Sequence, residues 1–284
     1  MLAAAKINLD LRITGRRDDG YHLLDSIVVF TEYGDQLEAV ISDQLSLEIS
    51  GPFSEGLPCD KTNLILKAAK LVCNEAGVKP KLKFCLTKNL PVSSGIGGGS
   101  ADAAAAMLLT RDLLSIDLSD EYLLNIALKL GADVPVCLRS HSTVMRGIGD
   151  ELNRVNLVSD CYILLVNSGV SVSTPPIFKK YADVSEKFDK KRNVPAQEIH
   201  LPLMIDILKN SQNSLETVAC ELEPSIIEVL EAIGKTDKVL FSRMSGSGAT
   251  CFGLYKTQEQ CMRAASDLRA KTNEWWIQPT KVKI

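Results

Sequence analysis

A glycine-rich stretch at residues 91–102 constrains the fold of this chain more than any other part of the sequence. It reads PVSSGIGGGSAD and holds four glycines and three serines directly before an alanine- and leucine-rich run, which is a strong helix former. Backbone amides with no side chains in the way, aimed by a helix N-terminus, form a site for phosphate oxygens. The stretch therefore predicts a phosphate-binding loop at a helix start, and the alternative is a flexible turn.

Two common phosphate-binding loops do not match this stretch. A Walker A loop has a lysine between its last glycine and the serine or threonine, whereas Ser100 follows Gly99 directly. A Rossmann fingerprint that starts at Gly95 and Gly97 requires a third glycine where Ser100 stands. The sequence therefore indicates a phosphate loop of another kind.

Length and charge exclude several classes of protein. With 284 residues the chain is long enough for two domains. Its net charge is -3 and its basic residues are scattered, so no nucleic-acid partner is expected. Its apolar runs are shorter than the roughly 20 residues that a membrane helix needs, and no secretory signal is recognised at its start. A cytoplasmic enzyme is expected, without membrane attachment or an obligate protein partner.

The spacing of apolar residues predicts an α+β fold in two halves. Residues 6–13 alternate, which predicts a half-buried strand with Lys6 and Asn8 on its polar face. Helical spacing follows at residues 63–76, 101–114 and 120–130. Beyond residue 155 the pattern restarts, with Thr174 expected to cap a helix and a second glycine-rich loop at residues 245–248. The predicted domains are residues 1–155 and 156–284.

Six segments resemble, in order, the motifs of the GHMP kinases, a superfamily named after galactokinase, homoserine kinase, mevalonate kinase and phosphomevalonate kinase. They are residues 5–9 (AKINL), Gly15 with residues 19–22 (DGYH), residues 91–102, residues 130–135 (LGADVP), residues 168–175 (SGVSVSTP) and residues 245–249 (SGSGA). The similarity extends from about residue 3 to about residue 255. Within the superfamily, the segments resemble kinases of the non-mevalonate isoprenoid pathway that act on the 2-hydroxyl of a cytidine-diphosphate-linked methylerythritol.

The resemblance implies a two-domain α+β fold with the active site in the cleft between the domains. ATP with Mg²⁺ is then bound by the first domain and the cytidine-diphosphate-linked alcohol by the second. Asp133 is implied to be the base that takes the hydroxyl proton, with Lys6 beside it. The chemistry agrees, since phosphoryl transfer needs positioning, charge stabilisation and a carboxylate near the attacking hydroxyl. Taken alone, the two residues also fit a surface carboxylate and a solvated strand lysine.

The resemblance also implies binding residues. Tyr21 is implied to stack on the cytosine ring, with Phe178 as a second stacking aromatic, and His22 is implied to form hydrogen bonds with the ring. Aromatic rings and an imidazole suit a flat heterocycle that has donors and acceptors on its edge. The implied nucleotide contacts are Pro91, Ser94, Gly95, Gly97, Gly98, Gly99, Ser100 and Ala101 in the loop, and Asn63, Leu64 and Lys88 near the adenine. The implied substrate contacts are Asn8, Thr174, Gly246 and Gly248. The alternatives are core aromatics for Tyr21 and Phe178, and a tight hairpin turn for the second loop.

Three residues depart from the family pattern, and none of them removes a reacting group. Ile96 stands where leucine is commoner, Ala101 where a second serine is frequent, and Ala4 where proline is usual. The acidic metal ligand of several relatives has no clear counterpart, which leaves Ser100 as the candidate Mg²⁺ ligand.

Two other functions stay open. One is a sister kinase that phosphorylates mevalonate, homoserine or a sugar, and the base-binding side chains argue against it. The other is a nucleotide-binding protein without catalytic activity, and the presence of both Lys6 and Asp133 argues against that.

Overall fold

The computed structural model describes residues 1–185, 187–192 and 198–284 of the chain. The strands of this part are β1 (Leu2–Asn8), β2 (Arg12–Arg16), β3 (His22–Ile41), β4 (Ser46–Ser50), β5 (Leu82–Thr87), β6 (Thr143–Gly147), β7 (Glu151–Arg154), β8 (Tyr162–Asn167), β9 (Phe241–Met244), β10 (Cys251–Tyr255) and β11 (Trp276–Lys281). The helices are α1 (Leu64–Glu75), α2 (Gly98–Leu113), α3 (Asp120–Ala127), α4 (Val134–Arg139), α5 (Thr174–Val184), α6 (Leu201–Lys209), α7 (Glu216–Leu222), α8 (Ser225–Gly234) and α9 (Gln258–Arg269). The predicted α+β class is confirmed. Within the described ranges, no helix combines the length and the apolar character needed to cross a membrane.

The chain forms two compact units, and each is assembled from separated segments. Unit 1 consists of Met1–Ala5, Tyr33–Val92 and Gly97–Ser140. Unit 2 consists of Lys6–Glu32, Ser93–Ile96 and His141–Ile284. Strands β1 and β3 and the glycine-rich stretch therefore contribute residues to both units. The division into residues 1–155 and 156–284 stays a prediction about the domains, and so does the predicted location of the active site.

Unit 1, whose residues are all described by the structure, is built from a mixed sheet and the four helices α1 to α4. β5 pairs antiparallel with the second half of β3, from Gln36 opposite Thr87 to Ile41 opposite Leu82, and parallel with β4. Helix α1 packs on α2, and α2 packs on α4. Four successive alanines of α2, at positions 103–106, are all buried. Such all-round burial is typical of a helix that is enclosed on more than one side.

Unit 2 contains an antiparallel sheet with the strand order β11-β8-β10-β9. Helices α8 and α9 pack on it, and Leu164, Val229 and Cys251 belong to the buried core between these elements. In the same unit the first half of β3 pairs antiparallel with β2 and with β6.

Two helices begin elsewhere than the sequence predicts. The alanine-rich run predicts a helix from residue 101, whereas α2 already starts at Gly98 and includes Gly99. Glycine is a poor helix former, so local propensity argues against these positions and packing overrides it. In α5 the N-cap residue is Ser173, and Thr174 is the first helical residue instead of the cap.

The prediction of a single half-buried strand at residues 6–13 is wrong. β1 ends at Asn8 and β2 begins at Arg12, so the chain breaks its strand in between. The polar face is not exposed either, because Lys6, Asn8 and Asp10 are all buried. Alternation shows which side chains share a face, but a polar face is buried where other parts of the chain supply its hydrogen bonds.

Candidate active site

The end of β1 carries two buried polar side chains that contact each other. Nζ of Lys6 donates a hydrogen bond of 2.9 Å to Oδ1 of Asn8, within unit 2. Nδ2 of Asn8 donates in turn to Oγ of Ser26 over 2.7 Å. Only 3% of Lys6 and 1% of Asn8 is exposed. The two residues share a face, as predicted, and the amine of Lys6 is held in place instead of being solvated.

Ser245 ties the first glycine-rich loop to the second loop and to β1. Its Oγ donates to the carbonyl oxygen of Gly95 over 3.0 Å and accepts from the N–H of Asn8 over 3.1 Å. Gly95 has φ +77°, and a Cβ atom there would lie 2.5 Å from the carbonyl oxygen of Ser245 and 2.7 Å from that of Gly248. Both observations require glycine at this position. Gly95, Gly248 and the end of β1 therefore form one cluster within unit 2.

The second glycine-rich loop, residues 245–248, is the turn between the paired strands β9 and β10. A Cβ atom at Gly246 would lie 2.9 Å from the carbonyl oxygen of Gly95 and 3.3 Å from Oδ1 of Asn8. The hydroxyl of Ser247 lies 2.9 Å from that of Thr174 at the start of α5. The loop is thus a hairpin turn, and two of the predicted substrate contacts, Asn8 and Thr174, lie against it.

In unit 1 the first glycine-rich stretch continues into the first turn of α2. Gly97 is the N-cap residue, and the N–H groups of a first helical turn have no carbonyl partner inside the helix. Such N–H groups and the helix dipole together favour the binding of an anion at the helix start. The side chain of Leu64 lies 3.7 Å from the place of a Cβ atom at Gly99. The predicted loop does open a helix, and Leu64, predicted to lie near the adenine, is adjacent to it.

Lys88, also predicted to lie near the adenine, is buried beneath the start of α2. Its Nζ donates to Asp35 over 2.5 Å and to Asp102 over 2.7 Å. The same atom would lie 3.1 Å from a Cβ atom at Gly98. Only 3% of Lys88 is exposed. Its ammonium group is therefore engaged by two carboxylates, and its contact with adenine stays a prediction.

The charges of this buried cluster are not balanced, because two carboxylates share one ammonium group. Oδ1 of Asp102 is buried and has no hydrogen-bond partner among the residues that the structure describes. Burial raises the pKa of Asp102 to about 7; Lys88 opposes this rise and Asp35 adds to it. Burial therefore favours the protonated form of Asp102.

Asp133 and Asn63 both stand at helix starts in unit 1. Asp133 is the N-cap residue of α4, and its side chain makes no capping hydrogen bond with that helix. Asn63 caps α1, since its Oδ1 accepts from the N–H of Ile65 over 2.9 Å, and its Nδ2 donates to the carbonyl oxygen of Pro58. Asn63 therefore has a local structural role. Asp133 belongs to unit 1 and Lys6 to unit 2, and their proximity stays a prediction.

An aromatic group in unit 2 surrounds His22. The ring of Phe178 lies 5.2 Å from the imidazole with an interplanar angle of 35°, and that of Tyr181 lies 6.0 Å away, edge-on at 77°. Burial and the charge of Arg16 lower the pKa of His22, which favours the neutral ring. Nε2 of His22 is buried without a hydrogen-bond partner in the described residues. Tyr21, by contrast, is 60% exposed, so it is not a core aromatic.

Arg192 holds two buried carboxylates in unit 2. Its guanidinium group pairs with both oxygens of Asp10 and donates from Nε to Oδ1 of Asp25 over 2.8 Å. Arg146 adds a second guanidinium group, 3.3 Å from Oδ2 of Asp25. The carbonyl oxygen of Asp10 accepts from Oγ of Ser26 over 2.5 Å. The ion cluster is therefore continuous with the hydrogen bonds at the end of β1.

Comparison with known proteins identifies the family. Family models described as GHMP kinases N terminal domain and GHMP kinases C terminal match residues 63–141 and 196–273. A relative from Paramagnetospirillum magneticum, named 4-diphosphocytidyl-2-C-methyl-D-erythritol kinase, is 44% identical over 99% of this chain and 97% of its own length. The chain belongs to the 4-diphosphocytidyl-2-C-methyl-D-erythritol kinase family. The resemblance carried by the sequence motifs is confirmed.

Solved structures agree with membership of this kinase family. A crystal structure of 4-(cytidine 5'-diphospho)-2C-methyl-D-erythritol kinase matches with a TM-score of 0.79 and 30% identity, over 100% of this chain and 99% of the other. A homoserine kinase from Cytophaga hutchinsonii matches with a TM-score of 0.68 and 18% identity, over 99% and 96% of the two chains. At that identity the second match shows the fold alone. The GHMP kinase fold is thereby confirmed.

The Mg²⁺ ligand that the sequence suggests for this kinase is Ser100. In the described ranges no three His, Cys, Asp or Glu side chains are grouped so that they could hold a metal ion. Ser100 lies in the first turn of α2 and supplies one hydroxyl oxygen. Mg²⁺ commonly keeps several waters and binds one or two carboxylates together with substrate phosphates, and in Walker A loops a serine or threonine hydroxyl is also a ligand. The hydroxyl of Ser100 at the start of α2 is compatible with the second case, and its contact with Mg²⁺ stays a prediction.

Sequence reasoning missed several residues of the site in this kinase. Ser245 and Ser247 lie inside a motif that was recognised, so the motif itself pointed to them. Tyr181 lies three positions after Phe178 on α5, which is the spacing of neighbours on one helix face. The remaining residues carry no local signal, because their partners are distant in sequence. They are Asp10, Asp25, Ser26, Arg146 and Arg192.

Proposed function

We propose that this protein transfers the γ-phosphate of ATP to the 2-hydroxyl of 4-diphosphocytidyl-2-C-methyl-D-erythritol, a step of the non-mevalonate pathway to isoprenoid precursors. Membership of the kinase family over nearly the whole chain supports this function. The observation that carries it is the imidazole of His22 beside Phe178, because mevalonate and homoserine have no base for such a pair to bind. A cytoplasmic location stays a prediction of the sequence.

The first glycine-rich stretch binds the phosphates of ATP in this proposal. Its glycines leave the backbone accessible, and the first turn of α2 directs N–H groups and the positive end of the helix dipole at an anion. Ser100 offers an oxygen to Mg²⁺, which would neutralise charge on the transferred phosphoryl group. The proposed phosphate contacts are Pro91, Ser94, Gly95, Gly97, Gly98, Gly99, Ser100 and Ala101. The contacts proposed near the adenine are Asn63, Leu64 and Lys88.

Asp133 and Lys6 act on the acceptor hydroxyl. As the oxygen of that hydroxyl attacks the γ-phosphorus, its proton passes to Asp133, the bond to the β,γ-bridging oxygen breaks, and ADP leaves. Lys6 stabilises the negative charge that develops on the attacking oxygen. Its hydrogen bond to Asn8 supports this role, because a fixed ammonium group needs no reorganisation during the reaction.

The acceptor is recognised through its base and its phosphates. A neutral imidazole can both donate to and accept from the edge of cytosine, and the low pKa of His22 supports that state. Phe178 and the exposed ring of Tyr21 are proposed to stack on the base. Asn8, Thr174, Gly246 and Gly248 are proposed to contact the rest of the acceptor.

A phosphoryl-transfer assay with ATP and Mg²⁺ tests the proposal. The enzyme should turn over the cytidylyl acceptor and neither mevalonate nor homoserine. Asp133→Asn should lower kcat by about 10²- to 10⁴-fold while nucleotide binding is kept, and Asp43→Asn, which changes an exposed carboxylate of the same unit, should not. His22→Ala should raise the KM for the acceptor about tenfold.

Other outcomes would contradict the proposal in distinct ways. Turnover of mevalonate or homoserine instead of the cytidylyl acceptor would show a sister kinase. ATP binding without turnover of any acceptor would show a protein without catalytic activity. A fully active Asp133→Asn enzyme would remove the assignment of the base.

A further inference from the structure

A short connecting segment of unit 2, residues 211–216, holds several parts of the candidate site. We call it the brace; it follows α6 and ends at the first residue of α7. Its backbone runs beside Leu11, because the N–H of Leu11 donates to Gln212 over 3.0 Å and the N–H of Ser214 donates to Leu11 over 2.7 Å. Leu11 lies between β1 and β2, so the brace is fixed to the chain just after Asn8.

The side chain of Asn213 connects the brace to the second glycine-rich loop. Its Nδ2 donates to the carbonyl oxygen of Met244 over 2.9 Å and to that of Gly246 over 2.8 Å. Its Oδ1 accepts from the N–H of Leu215 over 3.0 Å, which fixes the orientation of the amide. Asn213 is 6% exposed. Both amide protons are therefore used on the two carbonyls that flank Ser245.

Other brace residues secure the strand that leads into this loop. Oε2 of Glu216 accepts from the N–H of Met244 over 2.8 Å. Arg243 donates to the carbonyl oxygen of Ser211 over 2.7 Å and to its hydroxyl over 3.1 Å. The end of β9 thus receives contacts from both ends of the brace, whereas the loop itself receives its contact from Asn213.

The loop at residues 245–248 is packed so closely that it cannot move without changing its contacts. Ser245 contacts Gly95 and Asn8, and the backbone of Gly246 approaches the same two residues so closely that a Cβ atom would lie 2.9 Å from the carbonyl oxygen of Gly95. A shift of the loop by a fraction of an ångström therefore changes the contacts of Asn8. Asn8 in turn accepts the hydrogen bond of Lys6.

We propose that Asn213 is a positioning residue of this kinase, which holds the loop at residues 245–248 against Gly95 and Asn8 and thereby sets the place of the bound acceptor. The proposal rests on the proposed function, in which that loop contacts the acceptor. This positioning role differs from a merely structural one, in which the contact of Asn213 with Leu215 would stabilise the start of α7 and do nothing else.

The substitution Asn213→Asp tests this role with little change in volume. The carboxyl group keeps the acceptor for Leu215, but it replaces the two donors with an oxygen that repels the carbonyls of Met244 and Gly246. We expect kcat/KM for the acceptor to fall about 10- to 100-fold, because small displacements of substrate-positioning groups have effects of this size. Asn213→Ser, which keeps one donor, should be intermediate.

Hydrogen exchange gives a second readout that does not depend on activity. Backbone amides of residues 243–251 should exchange about tenfold faster in Asn213→Asp, because the loop opens locally, while α7 keeps its protection. Asn210→Ala is the matched control, since Asn210 is exposed and, among the described residues, its side chain bonds within its own helix end, to Asp206. It should change neither exchange nor kinetics.

The outcomes separate the inference from the proposed function. If Asn213→Asp and Asn213→Ser keep the acceptor kcat and KM of the parent enzyme and the exchange of the loop is unchanged, the positioning role is wrong. If only the folded fraction falls while the KM per folded enzyme is unchanged, the role is structural and the inference is also wrong. If the parent enzyme does not use the cytidylyl acceptor, the proposed function fails, and the exchange experiment still decides whether Asn213 holds the loop.

Discussion

Each compact unit buries a pair of carboxylates, but the two units neutralise them differently. In unit 2, Asp10 and Asp25 face the guanidinium groups of Arg192 and Arg146. In unit 1, Asp35 and Asp102 share the single ammonium group of Lys88, within the described part of the chain. The first cluster balances two negative charges with two positive ones, and the second has one positive charge too few.

The difference shows how a protein compensates an unbalanced buried charge. A guanidinium group has five donors in a fixed fork, so Arg192 satisfies several oxygens at once. The ammonium group of Lys88 leaves Oδ1 of Asp102 without a partner in the described residues. Burial raises the pKa of Asp102 to about 7, so a proton on that carboxyl group supplies the missing positive charge. The cluster of unit 1 is therefore expected to titrate near neutral pH through Asp102.

Removal of Arg192 should have the largest effect on stability. Arg192→Ala removes the guanidinium group that pairs with both Asp10 and Asp25, and breaking a buried ion pair in this way costs about 3–5 kcal/mol. Urea unfolding should show this loss. Lys191→Ala, which changes the exposed neighbour, should stay within about 0.5 kcal/mol. Equal stability of the two variants would mean that the cluster contributes little.

Removal of Lys88 should destabilise the protein less, by about 2 kcal/mol. Lys88→Met also leaves two buried carboxylates, but burial raises the pKa of Asp102 to about 7, so uptake of a proton by Asp102 limits the uncompensated charge. Urea unfolding at neutral pH measures the effect. Lys83→Met removes a lysine whose pairing with Glu48 is partly exposed and should change stability by less than about 1 kcal/mol. A loss as large as that of Arg192→Ala would contradict the idea that Asp102 compensates.

The titration of Asp102 should give the stability a slope with pH. Its pKa is 3.8 in the unfolded chain and about 7 in the folded protein, so the folded protein holds a proton that the unfolded chain releases. The free energy of unfolding should therefore fall as the pH rises from about 4 to about 7, and the Asp102 contribution should be constant above that range. Asp102→Asn should remove this part of the slope. The free energy of unfolding of both proteins can be measured by urea unfolding between pH 5 and pH 8. If it changes with pH in the same way in the parent and the variant, Asp102 does not titrate in this range.

The smallest effect is expected at the neutral link between the ion cluster of unit 2 and β1. Ser26→Ala removes the hydroxyl that accepts from Asn8 and donates to Asp10, and its loss should cost about 1 kcal/mol. Ser50→Ala, on a strand of unit 1, removes a long bond of 3.4 Å to Leu86 and should have no measurable effect. Thermal unfolding of both variants compares them. A loss of several kcal/mol in Ser26→Ala would show that the ion cluster depends on this hydroxyl.

Local features of the fold could be predicted because their causes lie within a few residues. The helical spacing at residues 63–76 and 120–130 corresponds to α1 and α3, whose caps Asn63 and Ser119 accept from N–H groups two and three residues later. The start of α2 was less predictable, since its glycines are poor helix formers and the packing of Gly98 over Lys88 comes from another part of unit 1.

The candidate site was predictable only in part. Motifs led to Lys6 and Asn8, whose shared face follows from the alternation of a strand. They did not lead to Asn213, whose partners in the second loop lie 31 and 33 residues away, because a single asparagine before a helix reads as an ordinary cap or turn residue. The burial of Lys88 could not be predicted from the sequence either, since a lysine at the end of a strand usually lies in solvent.

The sequence by itself determined the glycine-rich loop at a helix start, local helices such as α1 and α3, and the kinase family. These depend on neighbouring residues or on motifs that stand in order along the chain. Only the tertiary structure decided which polar groups meet: Ser245 with Gly95 at a separation of 150 residues, and Arg192 with Asp10 at 182. The physical reason is that a buried polar group must be satisfied, but its partner can come from any segment that the topology brings close.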